Sequence, residues 1–174
     1  MKYIFSIAIL SIVLSGCTIS SPTSMNADRV DEVNVNINSN NSELDSPVAT
    51  KNTLDLSGQG LREVSQSVFK QTNLEQLDVS DNNLTGALPG EIRHLQKLKV
   101  LRVANNQMTG VPAEIGQLVN LEILDLSNNQ LTGLPYELGN LKNLKTLNLS
   151  GNQASPHDLD IIRQSLPAEV NIIQ

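Results

Sequence analysis

From residue 51 onward the apolar positions recur in one fixed spacing. Leu74, Leu77, Val79 and Leu84 are set apart by polar residues, with Asn82 just ahead of the last. Leu98, Leu101, Val103, Asn106 and Met108 repeat those offsets, and so do Leu121, Leu124, Leu126, Asn129 and Leu131. Leu144, Leu147, Leu149 and Asn152 repeat them again, with Ala154 in the final apolar slot. A weaker first copy has Leu54, Leu56 and Leu61, with Lys51 and Gln59 in the leading Leu and Asn slots. The copies start at 51, 74, 98, 121 and 144, so the steps are 23, 24, 23 and 23 residues. A period in the twenties is the signature of a solenoid, in which each turn buries its apolar face only against its neighbours. Within each copy the apolar slots at offsets three and five alternate with polar residues, which predicts a short strand with those two side chains inward. One further step reaches Pro167 and puts Val170 and Ile172 on the same two slots, predicting a truncated sixth strand.

The Asn at offset eight falls where the chain leaves the strand. Its amide can bond backbone groups of adjacent turns that would otherwise be buried unpaired. Asn82, Asn106, Asn129 and Asn152 are therefore expected to form a structural ladder. The second half of each copy also recurs, as Leu88-Pro89, Val111-Pro112 and Leu134-Pro135, each followed by Glu two residues on. Proline there starts the return segment with a fixed φ and no donor to lose. Ser155-Pro156-His157-Asp158 reads as a helix start, and Leu159, Ile162 and Leu166 follow at helical spacing. That helix and the last strand are expected to cap the C-terminal end.

These positions match the leucine-rich repeat, L-x-x-L-x-L-x-x-N-x-L, and residues 51–174 resemble that family throughout. The resemblance implies an α/β leucine-rich repeat solenoid: a short right-handed horseshoe with a parallel concave β-sheet, about five repeats and a terminal strand. The 24-residue copy looks like the plant receptor subtype, and the 23-residue copies look like the Ras-suppressor subtype.

The chain before the repeats reads differently. Met1-Lys2 is followed by an apolar run, Tyr3 to Leu14, broken only by Ser6 and Ser11. At about 1.5 Å per residue it spans roughly 18 Å as a helix, short of a ~30 Å bilayer core. It suits the apolar region of a signal peptide. The run ends in Leu14-Ser15-Gly16-Cys17, which resembles the processing box of bacterial lipoproteins. The resemblance implies cleavage after residue 16 and lipidation of Cys17, a palmitate-type anchor. The other reading, an ordinary secretory signal, would leave a lone thiol in an oxidising compartment. Thr18, where Asp favours inner-membrane retention in that family, points to the outer membrane of a Gram-negative envelope. The expected organisation is a signal peptide over 1–16, the lipidated cysteine and a polar tether over 17–50, and the repeat domain over 51–174. The tether is rich in Ser, Asn and Thr, and lacks the apolar area needed to offset ordering entropy. Val33, Val35 and Ile37 alternate with Asn within it, so that stretch is open to two readings: linker, or a strand covering the first repeat.

Composition narrows the function. The 174 residues carry 12 basic and 18 acidic side chains, one Cys, no Trp, and only two Tyr and two Phe. One cysteine excludes an internal disulfide and a cysteine-rich metal site. The acidic balance argues against a nucleic-acid partner. The scarcity of aromatics disfavours a glycan floor, since Phe69 and Tyr136 are the only ones after Cys17. His94 and His157 fall at solvent-facing positions, and no catalytic pairing or phosphate loop is present, so neither an enzyme nor a cofactor is expected. The Asn-x-Ser/Thr triplets read as accidents of an Asn-rich repeat.

Candidate binding residues are the outward positions on the strands. The central column reads Asp55, Asp78, Arg102, Asp125, Asn148 and Asn171. Val100, Ile123 and Ala104 break the polar columns beside it. Asp within Leu-Asp-Leu-Ser also reads as common filler, so the departures at Val100, Arg102, Ala104 and Ile123 carry more information. Five or six strands at ~4.8 Å span about 25 Å. A strip ~20 Å wide is then about 500 Å², below the ~800 Å² per partner of a standard interface. The expectation is a monomeric, membrane-anchored module for a protein or peptide ligand. The alternatives are a passive envelope component that self-associates through the last strand, or a glycan or small-ligand binder.

Overall fold

A computed structural model describes residues 52–174. The expectations on residues 1–51 (the signal segment, Cys17, the tether and the Val33–Ile37 alternation) lie outside the described residues.

Each repeat contributes one three-residue strand. These are β1 (Thr53–Asp55) and β2 (Gln76–Asp78), then, after the two-residue strand β3 (Thr85–Gly86), β4 (Val100–Arg102). The two-residue strand β5 (Gln107–Met108) comes before β6 (Ile123–Asp125) and β7 (Thr146–Asn148). Helix α1 (Pro156–Ser165) precedes β8 (Asn171–Ile173). The sheet is parallel, in the order β1-β2-β4-β6-β7-β8, with Leu54, Leu77, Leu101, Leu124 and Leu147 in register. Parallel neighbours need a long crossover. Here it is a return segment with a single 3-10 turn: Gly90–His94, Ala113–Gln117 or Tyr136–Asn140, each entered through its proline. These turns stack on one another across the core from the sheet.

The core is a column of leucines. Leu77, Leu101, Leu124 and Leu147 are at most 1% exposed, so the interior layers are dry. At the first turn Leu54, Leu56 and Leu61 are only partly buried, as are Val170 and Ile172 at the last. The amides bridge successive turns. Asn106 Oδ1 accepts from Leu84 N, while its Nδ2 donates to the carbonyls of Val79, Val103 and Ala104. Asn82 makes the same set one turn before, and Asn129 and Asn152 one and two turns after. Buried backbone polar groups are thereby satisfied without regular helix or extended sheet.

Three features depart from the sequence reading. The sixth strand is displaced by two residues: Ile172, and not Val170, pairs with Leu147. The step from Leu147 is 25 residues because the connection holds a 10-residue α-helix. An α-helix advances only about 1.5 Å per residue against ~2.0 Å for a 3-10 turn, so crossing the same distance takes more residues. A shift of two preserves the face, since side chains alternate with period two. Second, β3 and β5 form a small parallel sheet after the Asn turn. Third, the return segments approach each other closely enough to require glycine. A Cβ on Gly116 would lie 2.7 Å from the carbonyl carbon of Glu137, and closer still to its oxygen. Helix α1 has the expected cap, Ser155 Oγ accepting from Asp158 N at 3.3 Å.

Candidate functional site

The outward residues of the strands form columns across the sheet. Strand pairing places Asp55 opposite Asp78, Asp78 opposite Arg102, Arg102 opposite Asp125, and Asp125 opposite Asn148. The column ends on Ile173, because the displaced register moves Asn171 to the neighbouring column beside Thr146. That corrects the central stripe read from the sequence. Ile173 is 39% exposed, so the stripe closes on an apolar residue. Val100 and Ile123 are half-buried and paired in register, forming a two-residue apolar spot.

The Leu-Asp-Leu-Ser filler has a physical cause. Asp55 Oδ1 accepts from both the backbone N–H and the hydroxyl of Ser57. Asp125 does the same with Ser127, and Asn148 with Ser150. Each pair is an Asx turn that ends the strand. The two Ser57 bonds are the largest influence on Asp55, and hold its carboxyl below the ordinary carboxylate range.

Repeat three cannot make this turn. Arg102 has no acceptor to offer, and the serine slot is filled by buried Ala104, which has no hydroxyl to satisfy. The two substitutions are chemically coupled. Repeat two is intermediate: Ser80 N donates to Asp78 Oδ1 at 2.9 Å, but Ser80 Oγ is buried with no hydrogen-bond partner. The second carboxylate oxygen of Asp78 lies 4.0 Å from Arg102 Nη1, a loose ion pair on half-exposed side chains. No direct ion pair joins Arg102 to Asp125 among the described residues.

One rim of the sheet is closed to a partner's charges by its own. Glu75 and Lys99 pair at 2.7 Å, Glu122 and Lys145 at 2.6 Å, and Asn52 donates to Glu75. The Lys99 bond, then the Asn52 bond, lowers Glu75. Lys145 lowers Glu122, and Glu75 raises Lys99. The alternation Glu-Lys-Glu-Lys at successive strand entries was visible in the sequence, one residue before each outward column, but carried no meaning until the register was known. Away from the strands, a groove of about 650 Å³ lies between the first two return segments, lined by Arg62, Glu63, Val64, Leu84, Leu88 and Met108 among others. His94 and His157 are both exposed, one at the end of the turn Gly90–His94 and the other in helix α1. Among the described residues no group of three or more His, Cys, Asp or Glu is placed to hold a metal, and no helix is long and apolar enough to cross a membrane.

A family model for the leucine rich repeat matches residues 52–108 and 96–153. Among solved structures, a Leptospira interrogans LRR protein is 40% identical with a TM-score of 0.60, over 64% of this chain and 28% of that one. The plant peptide hormone receptor RGFR1, in complex with RGF2, is 36% identical with a TM-score of 0.51, over 63% of this chain and 19% of that one. The Neurospora crassa Ccr4-Not complex 3'-5'-exoribonuclease subunit Ccr4 is 46% identical over 52 residues, 30% of this chain and 6% of that protein. The chain thus spans less than a third of the length of each of these relatives. Their shared part is the repeat array, and such arrays generally mediate protein–protein binding and are typically non-enzymatic. The chain belongs to the leucine-rich repeat family.

Proposed function

We propose that this chain is a lipid-anchored, non-enzymatic binding module of the bacterial cell envelope that holds a protein or peptide on the outward face of its sheet. The observation that carries the binding face is the break at β4. Repeats one, four and five devote their central outward residue and the following serine to the strand-ending turn, and repeat two does so through the Ser80 backbone N–H alone. Val100, Arg102 and Ala104 do not, which leaves a half-exposed guanidinium beside an apolar spot on a rigid surface. Arginine is enriched at interface cores and hot spots, and the apolar pair beside it adds area to bury. A receptor with the same repeats is solved with its peptide ligand, which favours a peptide over a small molecule. Reversing Arg102 and Asp125 together, as Arg102→Glu with Asp125→Lys, should abolish partner capture from envelope extracts. Unchanged capture would refute the assignment of this face.

The anchor rests on the Leu14-Ser15-Gly16-Cys17 box and the apolar run before it. Stable anchoring takes two or more acyl chains, which a diacylated cysteine supplies. Thr18 favours the outer membrane where the host has one. Cys17→Ala should move the protein from the membrane to the soluble fraction, and retention in the membrane fraction would contradict the anchor. Self-association is the second reading, favoured by Ile173, exposed on the edge strand β8. A monomer by light scattering would remove it.

A further inference from the structure

The same face carries a charge imbalance that names a partner chemistry. Asp55 and Asp78 are direct register partners, and like charges directly opposite each other on a sheet destabilise it. Arg102 is the only cation in the outward columns of β1 to β6, against three carboxylates, Asp55, Asp78 and Asp125. The balance there is 1 − 3 = −2. The rim cannot correct it, because Lys99 and Lys145 are already held by Glu75 and Glu122. Independently of charge, Ser80 leaves the Asp78 carboxylate less engaged than Asp55 and Asp125. It occupies an outward slot beside Asp78, is 7% exposed, and its Oγ has no partner, whereas Ser57, Ser127 and Ser150 all donate theirs. Asp78 therefore lacks the hydroxyl bond that Asp55 and Asp125 accept, and has more acceptor capacity free for an incoming cation.

We infer that the partner presents a basic segment to this face, with lysine or arginine side chains over Asp55, Asp78 and Asp125 and an aliphatic side chain on Val100 and Ile123. This rests on the reading above that the face is the binding surface. A cation over Asp55 and Asp78 offsets their like charge and donates to the Asp78 carboxylate. Arg102 interrupts the acidic column, so it selects against an unbroken run of positive charge and for basic residues separated by apolar ones.

The test uses the full-length protein in detergent and two fluorescein-labelled heptapeptides, Gly-Lys-Val-Lys-Val-Lys-Gly and its counterpart with Glu in place of Lys, read by anisotropy. The lysine peptide should bind at least about tenfold tighter than the glutamate peptide, and raising the salt from ~0.05 M to ~0.5 M should erase most of the difference. The triple variant Asp55→Asn, Asp78→Asn, Asp125→Asn should weaken lysine-peptide binding by about tenfold. Its fold is safe by precedent, since Asn148 already makes the same turn with Ser150. Arg102→Gln should tighten binding of the lysine peptide. Tighter binding of the glutamate peptide, no binding of either, or indifference to the triple variant overturns the inference. Such a failure is separable from failure of the binding role. A partner crosslinked from Ile123 through a neutral or acidic segment would leave the role standing and remove only the basic segment.

Discussion

Replacing Gly116 by alanine should destabilise the solenoid, and the size of the effect follows from the stacking of its return segments. Gly116 sits in the 3-10 turn Ala113–Gln117, which stacks on Tyr136–Asn140 of the next repeat. An added Cβ would meet Glu137, 2.7 Å from its carbonyl carbon and 2.8 Å from its Cβ. The obstacle is mainly backbone, so no side-chain rotation relieves it. Overpacking of this kind costs about 1–3 kcal/mol. Removing glycine's freedom in the unfolded chain returns about 0.4–1 kcal/mol where the native φ is compatible. The net expectation is a loss of about 1–2 kcal/mol, or roughly 4–8 °C in Tm at this domain size. Gly110 is the control. Its Cβ would find only the Ala87 methyl at 3.8 Å, so Gly110→Ala should be neutral or slightly stabilising. Thermal melts followed by circular dichroism on the two variants and the parent measure this. Equal Tm for Gly116→Ala and the parent would refute the claim that repeat spacing here is set by backbone contact.

Other expectations follow from the ladder and the rim. Asn129→Ala leaves the buried Met108 N without its acceptor, while the carbonyls of Val103, Leu126 and Ser127 keep their bonds from Asn106, Asn152 and Asn105. At about 1–3 kcal/mol for one orphaned buried donor, the variant should lose roughly that much by urea unfolding, and a loss under ~1 kcal/mol would contradict the ladder's role. Glu75 and Glu122 are held below their ordinary range, so their contribution is present above it and disappears as pH falls through the carboxylate region, ~4.3 and below. Lys99 is raised, so its share persists until alkaline pH. The double variant Glu75→Gln, Glu122→Gln should flatten the acid limb of a Tm–pH profile, and the effect should shrink in salt because the pairs are exposed.

The fold was legible because the spacing determines it. A leucine every two or three residues, with an Asn at a constant offset, specifies strand, turn and stacking before any coordinate is seen. What the spacing did not contain is geometric. The two-residue displacement of β8 depends on how much length an α-helix covers compared with a 3-10 turn, a difference invisible to a period of 23. Gly116 and Gly139 recur in the sequence, but their need arises only from how closely one turn lies on the next. The candidate site was less legible still. Asp55 and Asp125 read as ligand contacts or as filler and Asn148 as a ligand contact, and the structure gives each a local duty to the serine two residues on. Only where that duty lapses, at Arg102 and Ala104, does the sequence point outward. The coupling between those two residues became intelligible once the turn bonds were seen.

The central claim, that the outward face of the sheet is where a partner is held, is tested most directly by site-specific photo-crosslinking in cells. A photoreactive residue at Ile123, half-buried on the strand face, is compared with one at Gln117, exposed on the return segment that leads into that strand. The account predicts a discrete protein adduct from Ile123 and none from Gln117. An adduct from Gln117 alone would place the partner on the opposite side of the solenoid and contradict it.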